Sequence, residues 1–535
     1  MDNIYYDKTK LIAGINKVAD AVKVTLGSAG TNAILQEDLP PFHIVTNDGI
    51  SIANKIKLSD PVENIGANIM KEVAQRANRE SGDGTTTTMV LTQAILEASE
   101  DVFQGNAMEI KRSLDECLPI IHKAIDDQTK EIDVDHVSDI ATISAEDETI
   151  GALLQDIYKE IGKEGIVELD NSNTSDTYYT VTEGVRLRNC GYMYPYMTND
   201  DKHTKATHLV PKILITKQKI STLQEIDHLF GTLSKLGVTE LVIFCNEIDP
   251  IVSTTLAQTQ MQGLFKTLVI KAPTLWKDWL YDDFAKITGA TIVDVESGLK
   301  LKNVRIEHLG TCDKLITTKD ETVVIGIHDI TKHLEALKEQ KTEEAELRLA
   351  WLQTKTAILK LGANSESELS YKRLKVEDAR NASYLALKGG VVAGGGIALL
   401  NAAKALRSNK ETQALKVDID SKEVTKPNLI GVQILYKALL APFKQICKNA
   451  GVDVQKIMDD DSWNLKDPTK GSIDINMLPE SRGFNSKSLK IVDMWEEGII
   501  DPAIIVKNCI KNAISVAGTV LTANVVVTNT NETKG

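Results

Sequence analysis

The sequence predicts a multidomain α/β protein, and three observations carry that prediction. Its 535 residues exceed what a single hydrophobic core accommodates, so several domains are expected. Apolar residues recur at helical spacing early in the chain, at Leu11, Ile15, Val18, Val22 and Leu26. The middle third instead carries short β-branched runs, Lys212–Thr216, Leu241–Cys245, Leu268–Ile270 and Thr291–Val295. Helical spacing separates the later ones, as in a layered α/β domain.

Taken in order, the first helix is amphipathic and is expected to stop at Gly27, where Gly27-Ser28-Ala29-Gly30 turns. Ile34 to Ile56 reads as short strands around Asn47-Asp48-Gly49, a hairpin-type turn with Asp48 as turn former. Ile65, Ile69, Val73 and Ala77 mark another helix, which ends before Ser81-Gly82-Asp83-Gly84-Thr85-Thr86-Thr87-Thr88. Two glycines there free the backbone to turn, and a ladder of hydroxyls then enters a helix. A helix N-terminus offers unpaired N–H groups and positive dipole, which suits phosphate. Asp83 can hold a magnesium ion that bridges phosphates, and the threonines can bond phosphate oxygens. No Gly-Lys-Ser/Thr closes the loop, so it is not a Walker P-loop. The alternative is a polar loop capping a buried helix through Thr85 or Asp83.

Residues 127 to 183 are more polar and charged, and a charged helix over about Thr331–Trp351 closes the middle region. No G-x-G-x-x-G follows any of the middle strands, which argues against a dinucleotide site. Gly394-Gly395-Gly396 suits either close backbone approach to a ligand or a tight helix-packing loop. Asn512–Asn531 is interrupted by polar residues and reads as a buried helix leading into a strand at Val525–Val527, not a membrane span.

Composition narrows the function classes. A net charge of −14 argues against a nucleic-acid surface. Six scattered cysteines without a CxxC pair argue against disulfides or zinc and fit a reducing compartment. The N-terminus lacks the pattern of a signal or transit peptide, so an acidic, soluble, cytoplasmic protein is expected, with neither nucleic acid nor membrane as partner.

Several motifs together resemble the group I chaperonins, the GroEL type. Gly82-Asp83-Gly84-Thr85-Thr86-Thr87 resembles the family's phosphate loop, and Lys17–Gly27 its first helix and nucleotide turn. Thr46–Ala53 resembles its next acidic turn; Val376–Ala379 and Gly390–Gly396 resemble the second half of the site, and Gly498–Pro502 its closing segment. The match covers about positions 4 to 527.

The resemblance implies a GroEL-like chaperonin fold of three domains: a discontinuous, mostly helical equatorial ATP domain (1–126 and 389–535), an α+β intermediate hinge domain (127–183 and 357–388) and an α/β apical domain (184–356). It implies ATP hydrolysis with Mg2+ on Asp83, and with Asp48 and Asp378 around the attacking water. Alone, Asp378 reads as a surface helix acid beside Lys375 and Arg380; by resemblance it reaches the site when the hinge domain swings down. Nucleotide contacts carry over to Thr25, Leu26, Gly27, Gly84, Thr85, Thr86, Thr87, Ile143, Gly395, Asn485, Ile499 and Asp501, and K+ to Thr25 and Thr86. A seven-membered homo-oligomeric ring, single or double, is implied, with non-native protein clients and a GroES-type co-chaperonin.

The client rim would use Tyr192, Tyr196, Met197 and Phe230, but Asp227, Ser253, Ala257 and Gln258 stand where the family usually has leucine or valine. Other departures are Ser28-Ala29 for Pro-Lys, Asn47 for lysine, and Thr354-Lys355 for the Gly-Gly of the second hinge. The tail Thr528–Gly535 lacks Gly-Gly-Met repeats, and Gly451–Asn485 is longer than in the family and carries Asp459-Asp460-Asp461. Rival readings are a single-ring or lid-independent variant with restricted clients, and a ring scaffold with little useful ATPase.

Overall fold

The computed structural model describes residues 4–6, 8–36, 43–102, 106–172, 174–200, 204–272, 279–294, 298–340, 342–352, 355–408, 427–454 and 481–528. Helical periodicity at the start of the chain becomes the helix Thr9–Lys23, which buries Leu11, Ile15, Val18 and Val22. It ends one turn earlier than the apolar spacing suggests. Thr25 and Leu26 bond back to the carbonyls three residues before them, and Gly27 takes φ +83° to turn the chain away. Asp60 caps the next long helix, Pro61–Ser81, by accepting from the N–H groups of Val62 and Glu63. Its buried stripe runs through Val62, Met70, Val73 and Ala77, with Ile65 and Ile69 packed at the margin.

These helices share one core with the far end of the chain. Helix Ala503–Thr522 packs against Pro61–Ser81, Thr85–Val102 and Ala107–Asp126, while Ile397–Ser408 and Pro427–Leu439 pack on Ala107–Asp126. Among the described residues Ala503–Thr522 is the one helix long and apolar enough to cross a membrane; here it is a core helix, with Ile510, Ala513 and Ala517 fully enclosed. The chain then forms Val526–Val527, which pairs antiparallel with Ile4–Tyr5. A separate two-stranded ribbon, Ala33–Gln36 with His43–Thr46, stands earlier in the chain.

The chain divides into two compact units, one of residues 1–163, 173–176 and 361–535, the other of 164–172 and 177–360. The first, mostly helical, also contains helices Val137–Ala145, Glu148–Ile161 and Glu366–Gly389. The second holds a parallel sheet in the order Ile292–Val293, Lys212–Thr216, Glu240–Cys245, Lys266–Lys271, close to the predicted strands. Each of the central strands carries four or five consecutive buried residues, as expected of a sheet covered on both faces. A six-stranded sheet accompanies it, in which Tyr178–Arg188 changes partner midway. Up to Glu183 it pairs with Lys355–Lys360, and from Gly184 onward with Glu321–Ile325.

Two sequence expectations change. Asn47-Asp48-Gly49 is not a hairpin turn: Asp48 is the N-cap of the helix Gly49–Lys55, its carboxylate accepting from Ile50 N and Ser51 N. The charged helix over Thr331–Trp351 is two helices, Thr331–Gln340 and Glu343–Leu352; the second is started by the Thr342 hydroxyl, which accepts from Ala345 N at 3.1 Å. All six cysteines are buried and free, and burial pushes each thiol up to about 12. Thr354 of the second hinge, the acidic run at 459–461 and the tail beyond Thr528 lie outside the described residues.

Candidate functional site

Gly82 ends the helix Pro61–Ser81 in the left-handed region (φ +66°), and Gly84 (φ +80°) reverses the chain into Thr85–Val102. Neither position has room for a side chain. A Cβ on Gly82 would meet Asn381 Nδ2 at 2.0 Å, and one on Gly84 would meet Cys509 Sγ at 2.6 Å and Ile505 Cγ2 at 2.7 Å. The turn therefore lies flat on helices from the second half of the chain. Thr85, Thr86 and Thr87 face an open cavity, whereas Thr88 is fully buried and its hydroxyl donates to Gly84 O at 2.9 Å.

That cavity, about 820 Å³, lies wholly within the first unit. It gathers every nucleotide and catalytic position expected from the sequence: Thr25, Leu26, Gly27, Asp48, Asp83, Gly84, Thr85, Thr86, Thr87, Ile143, Asp378, Gly395, Asn485, Ile499 and Asp501 all line it. In the glycine run Gly395 borders the cavity, and Gly396 also meets the packing reading, since a Cβ there would touch Phe443 N at 3.0 Å. Asn485 holds its own hairpin, accepting from Lys487 N at 2.9 Å and Ser488 N at 3.2 Å. The Thr25 hydroxyl donates to Val22 O at 2.8 Å.

The acids differ in their surroundings. Asp83 is half-buried, and burial raises its carboxyl above the ordinary carboxylate range; the Gly84 N–H at 2.5 Å, Lys375 and the Ser144 hydroxyl at 3.4 Å oppose that shift. Burial and the neighbouring Asp83 push Asp501 to about 7. The Asp48 carboxylate is engaged by its helix cap, including a 2.5 Å bond from the Ser51 hydroxyl. Asp378 lies on the helix Glu366–Gly389, one turn after Lys375.

Sequence reading missed several residues here. Ser144 donates to Asp83, and Asn381 packs on Gly82. Glu146 accepts from both Asn47 Nδ2 (3.0 Å) and Lys375 Nζ (2.9 Å). None belongs to a local pattern that marks it; all are brought in by the helices Val137–Ala145 and Glu366–Gly389.

In the second unit, Tyr196 is 47% exposed and stacks on Tyr194 at 5.2 Å, while Tyr192 and Phe230 are half-buried. Met197 is a correction: it is fully enclosed in this unit's core and presents no surface, because the short helical turn Pro195–Met197 points it inward. Ser253 is also fully buried, with its hydroxyl 3.1 Å from Tyr196 OH and donating to Pro250 O, and Ala257 is buried. Asp227 and Gln258 are exposed.

Two solved structures share this fold across nearly the whole chain. Both are of the chaperonin gp146 from bacteriophage EL 2 (Pseudomonas aeruginosa), in the presence of ATP-BeFx. Crystal form II matches with a TM-score of 0.69 at 18% identity, covering 97% of each chain. Crystal form I matches with a TM-score of 0.62 at 18% identity, covering 98% of each. The profile of the TCP-1/cpn60 chaperonin family matches residues 18–531, and on that match the chain belongs to the TCP-1/cpn60 chaperonin family, chaperones of protein folding.

Proposed function

We propose that this chaperonin binds ATP with magnesium in the cavity of its first unit and hydrolyses it to time a folding cycle for non-native protein clients. The observation that carries the reading is the meeting of the Gly82-Asp83-Gly84-Thr85 turn with Asp48 and Asp378, from three distant parts of the chain, around one cavity. The neighbour's crystallisation with an ATP analogue supports it.

The cavity's charge fits a cation-dependent ligand. Eight acidic side chains line it (Asp48, Asp83, Asp139, Glu146, Glu148, Asp378, Glu497 and Asp501) against two lysines, Lys375 and Lys487. A polyphosphate entering such a site needs added positive charge. Asp83 would hold magnesium, and Thr25 and Thr86 a potassium ion; the metal would supply charge neutralisation on the phosphates. The residues do the rest. The N–H groups opening Thr85–Val102 and the hydroxyls of Thr85, Thr86 and Thr87 bind phosphate oxygens. Asp48 and Asp378 orient and deprotonate the attacking water. Asp501, Asn485 and Ile499 hold the ribose and base, Thr25, Leu26, Gly27 and Gly395 wrap the nucleotide, and Ile143 covers it.

In this reading 127–183 and 357–388 form a hinge between the nucleotide domain (1–126, 389–535) and a client-binding domain (184–356). Subunits form a cytoplasmic homo-oligomeric ring, seven-membered by family analogy, with a GroES-type lid. Two of the two-stranded ribbons, Ile4–Tyr5 with Val526–Val527 and Ala33–Gln36 with His43–Thr46, support assembly. They expose Ile4, Ile34, Ile44, Val45 and Val527, and an isolated pair of strands is marginal by itself. A restricted client range is the second reading, favoured by buried Met197 beside exposed Asp227 and Gln258.

Asp378→Ala tests the catalytic assignment: it should bind ATP but hydrolyse it at least ~10²-fold slower. Turnover equal to the parent's removes Asp378 from the mechanism. Calorimetric titration of Asp83→Ala with Mg-ATP should show magnesium-dependent binding lost, and electron microscopy with and without ATP should show rings.

A further inference from the structure

We infer that Glu146 is a positioning residue that clasps the Asp378 helix onto the Asp48 loop. The inference deepens the nucleotide-site reading and rests on it for its kinetic part. A single carboxylate oxygen, Glu146 Oε1, accepts from Asn47 Nδ2 at 3.0 Å and from Lys375 Nζ at 2.9 Å. Asn47 immediately precedes Asp48, and Lys375 is one helical turn before Asp378, so the two donors flank the two proposed catalytic acids. Two residues earlier in the same segment, Ser144 donates to Asp83. Residues 144–146 therefore bond Asp83 itself and the side chains that flank Asp48 and Asp378.

The backbone at Glu146 shows that this placement is imposed. Glu146 ends the helix Val137–Ala145 at φ +57°, ψ 25°, the left-handed conformation that glycine or asparagine takes at low cost. A glutamate held there is a strained choice that a C-cap alone does not call for. The Glu146 side chain is 45% exposed and that of Lys375 12% exposed, so the pair sits at the cavity edge where water can reach it. A contact of that kind is weak, and a weak contact suits an element that must open and close in each turnover. Glu146 does not touch the reacting atoms; it acts by holding Asp378 and Asp48 at one separation.

Glycine relieves the backbone strain while deleting the carboxylate, so Glu146→Gly separates a clasp from a folding requirement. Glutamine keeps an acceptor oxygen at the same reach. With Mg-ATP, kcat should fall about fivefold in Glu146→Gly, the scale of one partly exposed ion pair. KM should stay within about twofold, and Glu146→Gln should recover most of the loss. A Glu146→Gly enzyme as fast as the parent overturns the clasp and leaves the nucleotide reading intact. Hydrogen exchange without nucleotide tests the clasp independently of catalysis: peptides covering 366–380 should exchange faster in Glu146→Gly than in the parent, and unchanged exchange overturns it. A parent that neither binds nor hydrolyses ATP refutes the nucleotide reading, while the exchange comparison still decides the clasp.

Discussion

Asp501 shows how the candidate site strains the fold that builds it. Its carboxyl is half-buried beside Asp83 and stands near 7, against an ordinary 3.8. In the folded state it therefore keeps a proton that the unfolded chain releases. The stabilising contribution is complete below the unfolded value near 3.8 and is lost as pH rises through about 7. This group should therefore lower the stability of the nucleotide-free protein at pH 8 relative to pH 4. Asp501→Asn should accordingly raise the apo unfolding midpoint at pH 8, with the gain shrinking toward pH 4, while weakening ATP binding; thermal melts across that pH range check it. Asp83 was legible in the sequence because it lies inside a contiguous motif. Asp48 lines the cavity to which the resemblance assigns it, yet its local structure differs from expectation, because an Asn-Asp-Gly triplet serves a turn and a helix cap equally well. Glu146, Ser144 and Asn381 were not legible, because their partners lie on other helices and no local spacing encodes a contact with a distant residue.

At the level of elements, the Gly82-Asp83-Gly84 turn is rigid because it has no free volume. Gly84→Ala would place a methyl against Cys509 and Ile505 in a left-handed conformation, and should destabilise the first unit by roughly 2–4 kcal/mol. Urea unfolding measures this, and a near-neutral variant would mean that the turn can shift. In the second unit, the helices Asp227–Lys235 and Pro250–Met261 divide the departures from an apolar rim into two kinds. Asp227→Leu with Gln258→Val adds exposed apolar area and should increase suppression of client aggregation. Ser253→Leu should instead cost about 1–3 kcal/mol by overpacking, since Ser253 is fully buried against Tyr196. Light scattering with an unfolded client separates the two outcomes. Element types followed from periodicity, and the central strands fall within a residue or two of expectation. Boundaries did not, because hydrogen bonds of single side chains set them: Thr342 starts a helix inside one charged run, and Asp48 starts one inside a presumed hairpin.

For the whole molecule, the two compact units make different demands on the chain. The second is nearly contiguous, from 164 to 360, apart from 173–176. A fragment of those residues should fold alone, giving cooperative thermal unfolding and resistance to protease; a fragment that stays protease-sensitive refutes that independence. The first unit has no such freedom, because Thr85–Val102 and Ala107–Asp126 bury their apolar faces against Ala503–Thr522. During synthesis, then, the ribosome releases the entire Gly82-Asp83-Gly84-Thr85 turn about four hundred residues before the helix that seats it. Throughout that interval the early helices hold an apolar face with no partner, while the middle unit can already have folded. A folding chaperone of this design is itself a demanding client: its amino-terminal helices need protection until its last helix arrives.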